Sequence, residues 1–371
     1  MIRSGWLRYS MLSFSFAYAV CVQMGLVVLH CWYHEHFSGH WAKVLHGITF
    51  QNVLFSFLMV SQVVHSLIAA YSWLREAPLI VSNYNATILL EAKARELLPL
   101  CSMSRMAVFW KTSLFVIHFI SVIAFTWVIL PRQFEGISKP LLGSYVAFYV
   151  VQNSYTAMWI FNFHFIKLLA VDLLNIIKEL LQANMTPGKQ LSEYRHLWLS
   201  VWDLSQKYSF SIAISISFVL LLHSCVFITS CYGILSLIRL PDPVVNTLPL
   251  LPYLIASFGH VFAIIEAGHR AKTALKDDFL KTFVKVDRDT IDHEGYDEVK
   301  LFTRTILETD PKITLYDYIT VDRTLLVSFM SSSITYLIVL LQFRASEEKS
   351  ESQESSTSYP FENENATNIL F

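Results

Sequence analysis

Seven uninterrupted charge-free runs divide the chain, at 9–34, 44–74, 112–131, 140–166, 208–238, 243–265 and 324–343, each at least twenty residues long. Twenty residues of helix rise about 30 Å, the thickness of a bilayer's hydrocarbon core. The next longest run, 77–90, has fourteen residues and carries Pro78, Asn83 and Asn85. That gap in length predicts seven membrane-spanning helices and an all-α fold. The first run follows Arg3 and Arg8 and is too long for a signal-peptide core. It also lacks a convincing small-residue cleavage site, so it reads as a retained first span.

The last run, Thr324 to Phe343, has a patterned set of polar positions. Ser328, Thr335 and Gln342 are spaced by seven, so they drift only about 20° per step and share one face, which Ser331 and Ser332 widen. Such a face either hydrogen-bonds to a neighbouring helix or lines a watery pathway.

Between the runs the pattern changes period or texture. Leu173, Ile177, Leu180 and Leu181 recur at helical spacing, Thr186-Pro187-Gly188 breaks the run, and Leu191, Tyr194, Trp198, Val201 and Trp202 resume it. This predicts an amphipathic helical hairpin beyond the membrane whose apolar face packs on 269–323 or on another subunit. Pro78 and Pro99 bound a predicted helix after the second span. Pro311 precedes Ile313, Leu315, Tyr316, Tyr318 and Ile319, read as a short helix leading into the last span. Beyond Phe343 the texture becomes SEEKSESQESSTS, with six Glu across 344–371, the composition of a disordered tail. The expected organisation is 1–310 for six spans with their helical extensions, 311–343 for the short helix and last span, and 344–371 for the tail.

Composition agrees with a polytopic membrane protein. Hydrophobic residues make up 54 % of the 371 and charged ones only 15 %, against about 25 % charged in soluble domains. Net charge is −1, and no basic block interleaved with aromatics points to nucleic acid. Local charge orients the chain. With the N-terminus inside, 22 of the 28 Lys and Arg fall on the inner side, so the positive-inside bias predicts a cytosolic N-terminus and, after seven crossings, an extracellular C-terminus. That orientation opposes a G-protein-coupled receptor.

Candidate chemistry is sparse. His30, His34, His36, His40 and His46 crowd the first outside loop with Glu35, types that bind zinc, but neither HExxH nor paired CxxC is present. An interfacial belt with Trp32, Tyr33, Phe37 and Trp41 accounts for the same residues, and no metal or cofactor is expected. Cys21, Cys31, Cys101, Cys225 and Cys231 form no CxxC and describe no disulfide scaffold. No phosphate-binding loop, GxSxG elbow or matched set of acids supports an enzyme, and no internal repeat supports a transporter. Asn365-Ala366-Thr367 is a glycosylation sequon on the outer side. The sequons at Asn85 and Asn184 fall inside.

Thr335-Tyr336-Leu337-Ile338-Val339-Leu340-Leu341-Gln342-Phe343 resembles the TYhhhhhQF signature that closes the last span of insect gustatory receptors, and Leu315 to Asp322 resembles that family's lead into the span. The resemblance implies a tetrameric ligand-gated cation channel whose pore is lined by the outer half of the seventh helix. Cytosolic extensions of helices four to seven would form a shared anchor, and each subunit would carry an outward-opening ligand pocket. It favours the pore wall over helix packing for the last span's polar face. Ser328, Thr335, Tyr336, Gln342 and Phe343 become pore and gate candidates, with Gln342 and Phe343 near the outer gate. Two departures stand out. Leu337 follows the Thr-Tyr pair where sugar-responsive members tend to have Glu, which argues for a non-sugar tastant, and the tail after Phe343 is long.

For the ligand, topology narrows the candidates to polar and aromatic residues of the outer halves of the spans: Gln51, Trp127, Gln152, Tyr155, His223, Tyr253, Ser257 and His260. For each, interhelical packing is the competing role. His260 leads, because an ionisable side chain near mid-membrane is costly without a function. The expected partners are a small-molecule tastant, membrane lipid and further receptor subunits, identical or not. The expected location is the dendritic membrane of a sensory neuron.

Overall fold

The structure, a computed structural model, describes residues 25, 28, 50–97, 139–182, 188–238, 247–248, 250–286 and 291–357. Its elements, numbered among these residues, are α1 (Phe50–Leu97), α2 (Lys139–Gln182), α3 (Gly188–Ser211), α4 (Ala213–Leu237), α5 (Leu251–Leu275), α6 (Asp277–Phe283), α7 (His293–Thr309), β1 (Thr314–Leu315), β2 (Ile319–Thr320) and α8 (Arg323–Thr357). Predicted spans 44–74, 140–166, 208–238, 243–265 and 324–343 fall on α1, α2, α4, α5 and α8, with the start of 208–238 on α3. Apart from Gly25 and Val28, spans 9–34 and 112–131 lie outside the described residues. Three described stretches, Asn153–Gln182, Ala213–Ser236 and Arg323–Ser346, are long and apolar enough to cross a membrane by length and composition.

α1 has 48 residues and α2 has 44, about 72 and 66 Å of helix. Both exceed twice a bilayer core, so each leaves the membrane and continues as part of a second helical layer. The stripe that builds this layer is periodic. Trp159, Phe163, Ile166, Leu169, Leu173 and Ile177 of α2 are buried in one cluster with Leu191, Tyr194, Trp198, Val201 and Tyr208 of α3, at the spacing of a single helix face. The predicted amphipathic hairpin is therefore present as the end of α2 and α3. Its face packs on 269–323 of the same chain: Trp198 sits edge-on to Phe279 and Phe302, with ring centroids 6.5 and 5.8 Å away. Arg195 donates to Glu298 at 2.7 Å.

Two tryptophans fasten α5 to this core. The Trp159 indole N–H donates to the Ile264 carbonyl and that of Trp198 to the Leu275 carbonyl, each at 3.0 Å. Leu275 is the last residue of α5, so its carbonyl has no intrahelical partner and the indole acts as a C-terminal cap.

The uninterrupted run 208–238 hides a break. Ile212, at φ −125° and ψ 18°, separates α3 from α4 and gives no side-chain cap. Glu76 of α1 takes that role from outside: fully buried, it accepts hydrogen bonds from the Ser215 N–H at 3.1 Å and the Ser215 hydroxyl. A carboxylate at a helix N-terminus meets unpaired N–H groups and the positive end of the macrodipole.

Three expectations are corrected. α1 does not begin at Pro78 but passes through it; proline forfeits one backbone bond there, to the Leu74 carbonyl, and the rest of the long ladder holds. The residues after Pro311 form an antiparallel hairpin, not a helix, pairing Thr314 with Thr320 and Leu315 with Ile319. Tyr316 and Asp317 take φ of 50° and 60°, and the Tyr318 N–H bonds the Leu315 carbonyl at 3.1 Å, the left-handed pair of a type I′ turn. Ile313, Leu315 and Val321 point inward. Third, α8 continues past Phe343 to Thr357, because the Glu, Lys, Gln and Ala of that stretch are good helix formers despite their polarity. Residues 358–371, including Asn365, lie outside the described part.

Candidate functional site

α5 places Tyr253, Ser257 and His260 on one face by their spacing of four and three. Ser257 and His260 are buried, and Tyr253 is half-buried. Across from them α4 supplies His223, also buried, whose ring stacks on that of His260 with centroids 4.3 Å apart and planes 14° from parallel. The His260 ring also bridges two helices. Its Nδ1 lies 2.7 Å from the Ala256 carbonyl and its Nε2 lies 2.6 Å from the Asn153 amide oxygen position of α2. A neutral imidazole has a single N–H, so with a neutral ring the Asn153 amide turns to offer its NH2 to Nε2. The result is a buried joint of α2, α4 and α5 with two imidazoles and an amide at its centre.

The structure divides the sequence candidates. His223, His260, Ser257 and Tyr253 gather on α4 and α5. Tyr155 does not join them: it is buried beside Ser72 and Ser215, hydrogen-bonded to both, next to Glu76. Ser215 is eight residues, about 12 Å, along α4 from His223. Trp127 lies outside the described residues, as do the side chains of Gln51 and Gln152, which sit on α1 and α2. Sequence reasoning chose Gln152 and missed Asn153. Tracing the α2 core stripe back from Trp159 through the buried Thr156 leads to Asn153, and that periodicity was the available signal.

The pore candidates share a different environment. α8 packs on α4 and α5 through Leu326, Phe329 and Ser333, with the Phe329 ring tilted against that of Phe227, centroids 5.3 Å apart. Ser328, Thr335 and Gln342 are exposed and lie about 160° round the helix from that contact face, at 100° per residue. Tyr336 and Phe343 are 61 % and 60 % exposed, and Val327, Ile334 and Ile338 are exposed beside them. The Thr335 hydroxyl donates to the Ser331 carbonyl at 3.0 Å. The polar stripe therefore points almost directly away from α4 and α5, flanked by apolar side chains.

Charged groups concentrate where the hairpin meets α8. Asp322 caps α8 by accepting the Thr324 N–H at 3.0 Å and receives Lys272 of α5 at 3.0 Å. Burial pushes its carboxyl up, but Thr324 and Lys272 outweigh this and hold it below the ordinary carboxylate range. Asp310 sits between Lys276 and Lys312, which hold its carboxyl down at about 2. Glu266 binds Arg270 and Arg323 together. Among the described residues no three His, Cys, Asp or Glu side chains form a metal-holding group. The His-rich loop 30–46 lies outside them. Cys225 and Cys231 are free thiols.

The comparisons agree with this architecture. The family model of the 7tm chemosensory receptors matches residues 2–347. Gustatory and odorant receptor 24 of Anopheles gambiae is 29 % identical over 181 residues, 48 % of this chain and 38 % of that protein. Gustatory and odorant receptor 21a of Drosophila melanogaster is 25 % identical over 163 residues, 44 % of this chain and 36 % of that one. The chain thus aligns with little over a third of the length of these relatives. Two solved structures of the olfactory receptor OR5 of Machilis hrabei superpose on it, each covering 92 % of this chain and 93 % of that one. One, in complex with eugenol, has a TM-score of 0.65 at 13 % identity; the other has 0.61 at 14 %. The seven-helix membrane fold is shared, and the chain belongs to the 7tm chemosensory receptor family.

Proposed function

We propose that this protein is a gustatory-type receptor working as a ligand-gated, non-selective cation channel. Four subunits, identical or mixed with related receptors, would surround a pore lined by α8. The observation that carries this reading is the Ser328, Thr335 and Gln342 stripe, exposed and directed away from α4 and α5. In a membrane such a stripe needs water or polar partners, and symmetric closure of four copies supplies both. Thr335, Tyr336, Gln342 and Phe343 are the pore-wall and outer-gate residues in this reading, with Ser328 further in.

The ligand is a small-molecule tastant of a non-sugar class, held in an outward pocket near His223, Tyr253, Ser257 and His260, to which Gln51, Trp127 and Gln152 also contribute. Tyr155, which bonds Ser72 and Ser215 beside Glu76, serves an inner polar cluster in this reading. Binding of eugenol by the Machilis receptor supports a pocket of this kind in the shared fold. The N-terminus is cytosolic, the C-terminus extracellular, and the site of action the dendritic membrane of a chemosensory neuron. The inner layer of α2, α3, α6 and α7 is the anchor, and any glycan is at Asn365.

The test is a voltage-clamp recording from cells expressing the chain, with a panel of bitter compounds, sugars and amino acids and with G-protein signalling blocked. A tastant-evoked current that persists, and whose reversal potential moves in Gln342→Ala, supports the reading. Loss of all current under the block assigns the chain to G-protein signalling instead. Saturable uptake without current would make it a transporter.

A further inference from the structure

α5 carries His260 and, six residues or about 9 Å further along, Glu266, which is only 11 % exposed. Glu266 holds the first residue of α8 in a two-point fork: its Oε2 accepts the Arg323 Nε–H at 3.2 Å and its Oε1 the Nη2–H at 3.0 Å. Arg270, one turn on, donates to the same Oε1 at 2.7 Å. The two residues before Arg323 are tied to α5 as well. A Cβ on Gly268 would stand 2.9 Å from the Val321 carbonyl oxygen, so the hairpin end lies flush on α5. Asp322 takes Lys272. Three consecutive residues, 321 to 323, are thus held by one helix.

From this geometry we infer that Glu266 is the positioning residue for the last helix: through its fork to Arg323 it passes displacement of α5 to the base of α8 and so sets how readily the channel opens. The inference rests on the channel reading above. A planar two-bond fork transmits direction as well as attraction, which a point charge does not. α5 is suited to the task, being gripped by Trp159 at Ile264 and by Trp198 at Leu275, on either side of Glu266. Its movement is therefore a movement of the whole inner half.

The experiment compares wild type, Glu266→Gln, Arg323→Gln, the double variant and, as control, Arg304→Gln, which breaks an exposed ion pair on α7. Two readouts are taken on the full chain. Hydrogen exchange follows amides 324–330. Ligand-free cation current, defined by replacing sodium with N-methyl-D-glucamine, is measured at matched surface expression. Each single variant is expected to speed exchange at 324–330 about fivefold and to change the current about fivefold in one common direction. The double variant goes no further than either single, and the control changes neither. Unchanged exchange in Glu266→Gln overturns the inference. So does faster exchange with unchanged current in a conducting wild type, since the tie would then be structural only. Faster exchange where wild type passes no current, with or without tastant, upholds the positioning of α8 and overturns the channel reading.

Discussion

Two tryptophans one helical turn apart on α3 make opposite predictions. Trp198 is fully buried, lies edge-on to Phe279 and Phe302, and donates to the terminal carbonyl of α5. Trp202 is half-buried, and its buried Nε1 has no hydrogen-bond partner. Trp198→Phe keeps a ring against both phenylalanines but removes the N–H. The lost bond is worth about 1 kcal/mol and the stranded Leu275 carbonyl about 1 kcal/mol more, giving a cost of about 2 kcal/mol. Trp198→Ala adds the cavity and should cost about 3–5 kcal/mol. Trp202→Phe removes a donor that nothing accepts, so its effect should lie between neutral and about 1 kcal/mol stabilising. Thermal denaturation of the detergent-solubilised protein, followed by size-exclusion recovery after heating, ranks the three. The expected order of stability is Trp202→Phe at or above wild type, then Trp198→Phe, then Trp198→Ala. If Trp202→Phe lowers the midpoint as much as Trp198→Phe, the capping of α5 by an indole is not a source of stability.

Other outcomes follow from the same geometry. Gly268→Ala forces a Cβ toward backbone of Val321 and should destabilise by about 1–3 kcal/mol, whereas Gly259→Ala meets nothing within 4 Å and should gain up to about 1 kcal/mol from helix propensity; the same melting assay compares them. Asp310, held down at about 2 by Lys276 and Lys312 against an ordinary 3.8, contributes stability that is complete above pH 4 or so and is lost as pH falls through about 2. Its carboxylate is about a third exposed, so the contribution should stay under about 1 kcal/mol. Asp310→Asn, which tolerates the left-handed backbone there, should flatten that acid limb in a pH series of melts.

The legible parts of the fold were those written as periodicity. The stripe from Trp159 to Ile177 and its resumption at Leu191 gave the inner layer, because a helix must bury one continuous face and that face repeats every 3.6 residues. What pattern reading missed were features fixed by distant partners. The break at Ile212 is invisible in a uniformly apolar run, since its cap arrives from Glu76 on another helix. The hairpin at 313–321 departs from the helical reading because it is too short to show a period; the alternation of Ile313, Thr314 and Leu315 is the better guide, and two left-handed residues close it. At the site, topology and residue chemistry single out His223 and His260, but their stacking and the Asn153 bridge depend on helix rotation. The outward stripe on α8 was legible as a stripe, while its direction relative to α4 and α5 was not.

The most direct test of the central claim uses the purified chain alone in a planar lipid bilayer. On adding a tastant that is active in cells, unitary cation currents should appear with no other protein present, and Gln342→Ala should alter their amplitude or the ratio of sodium to potassium permeability. A silent bilayer with correctly folded, tastant-binding protein would contradict the channel account.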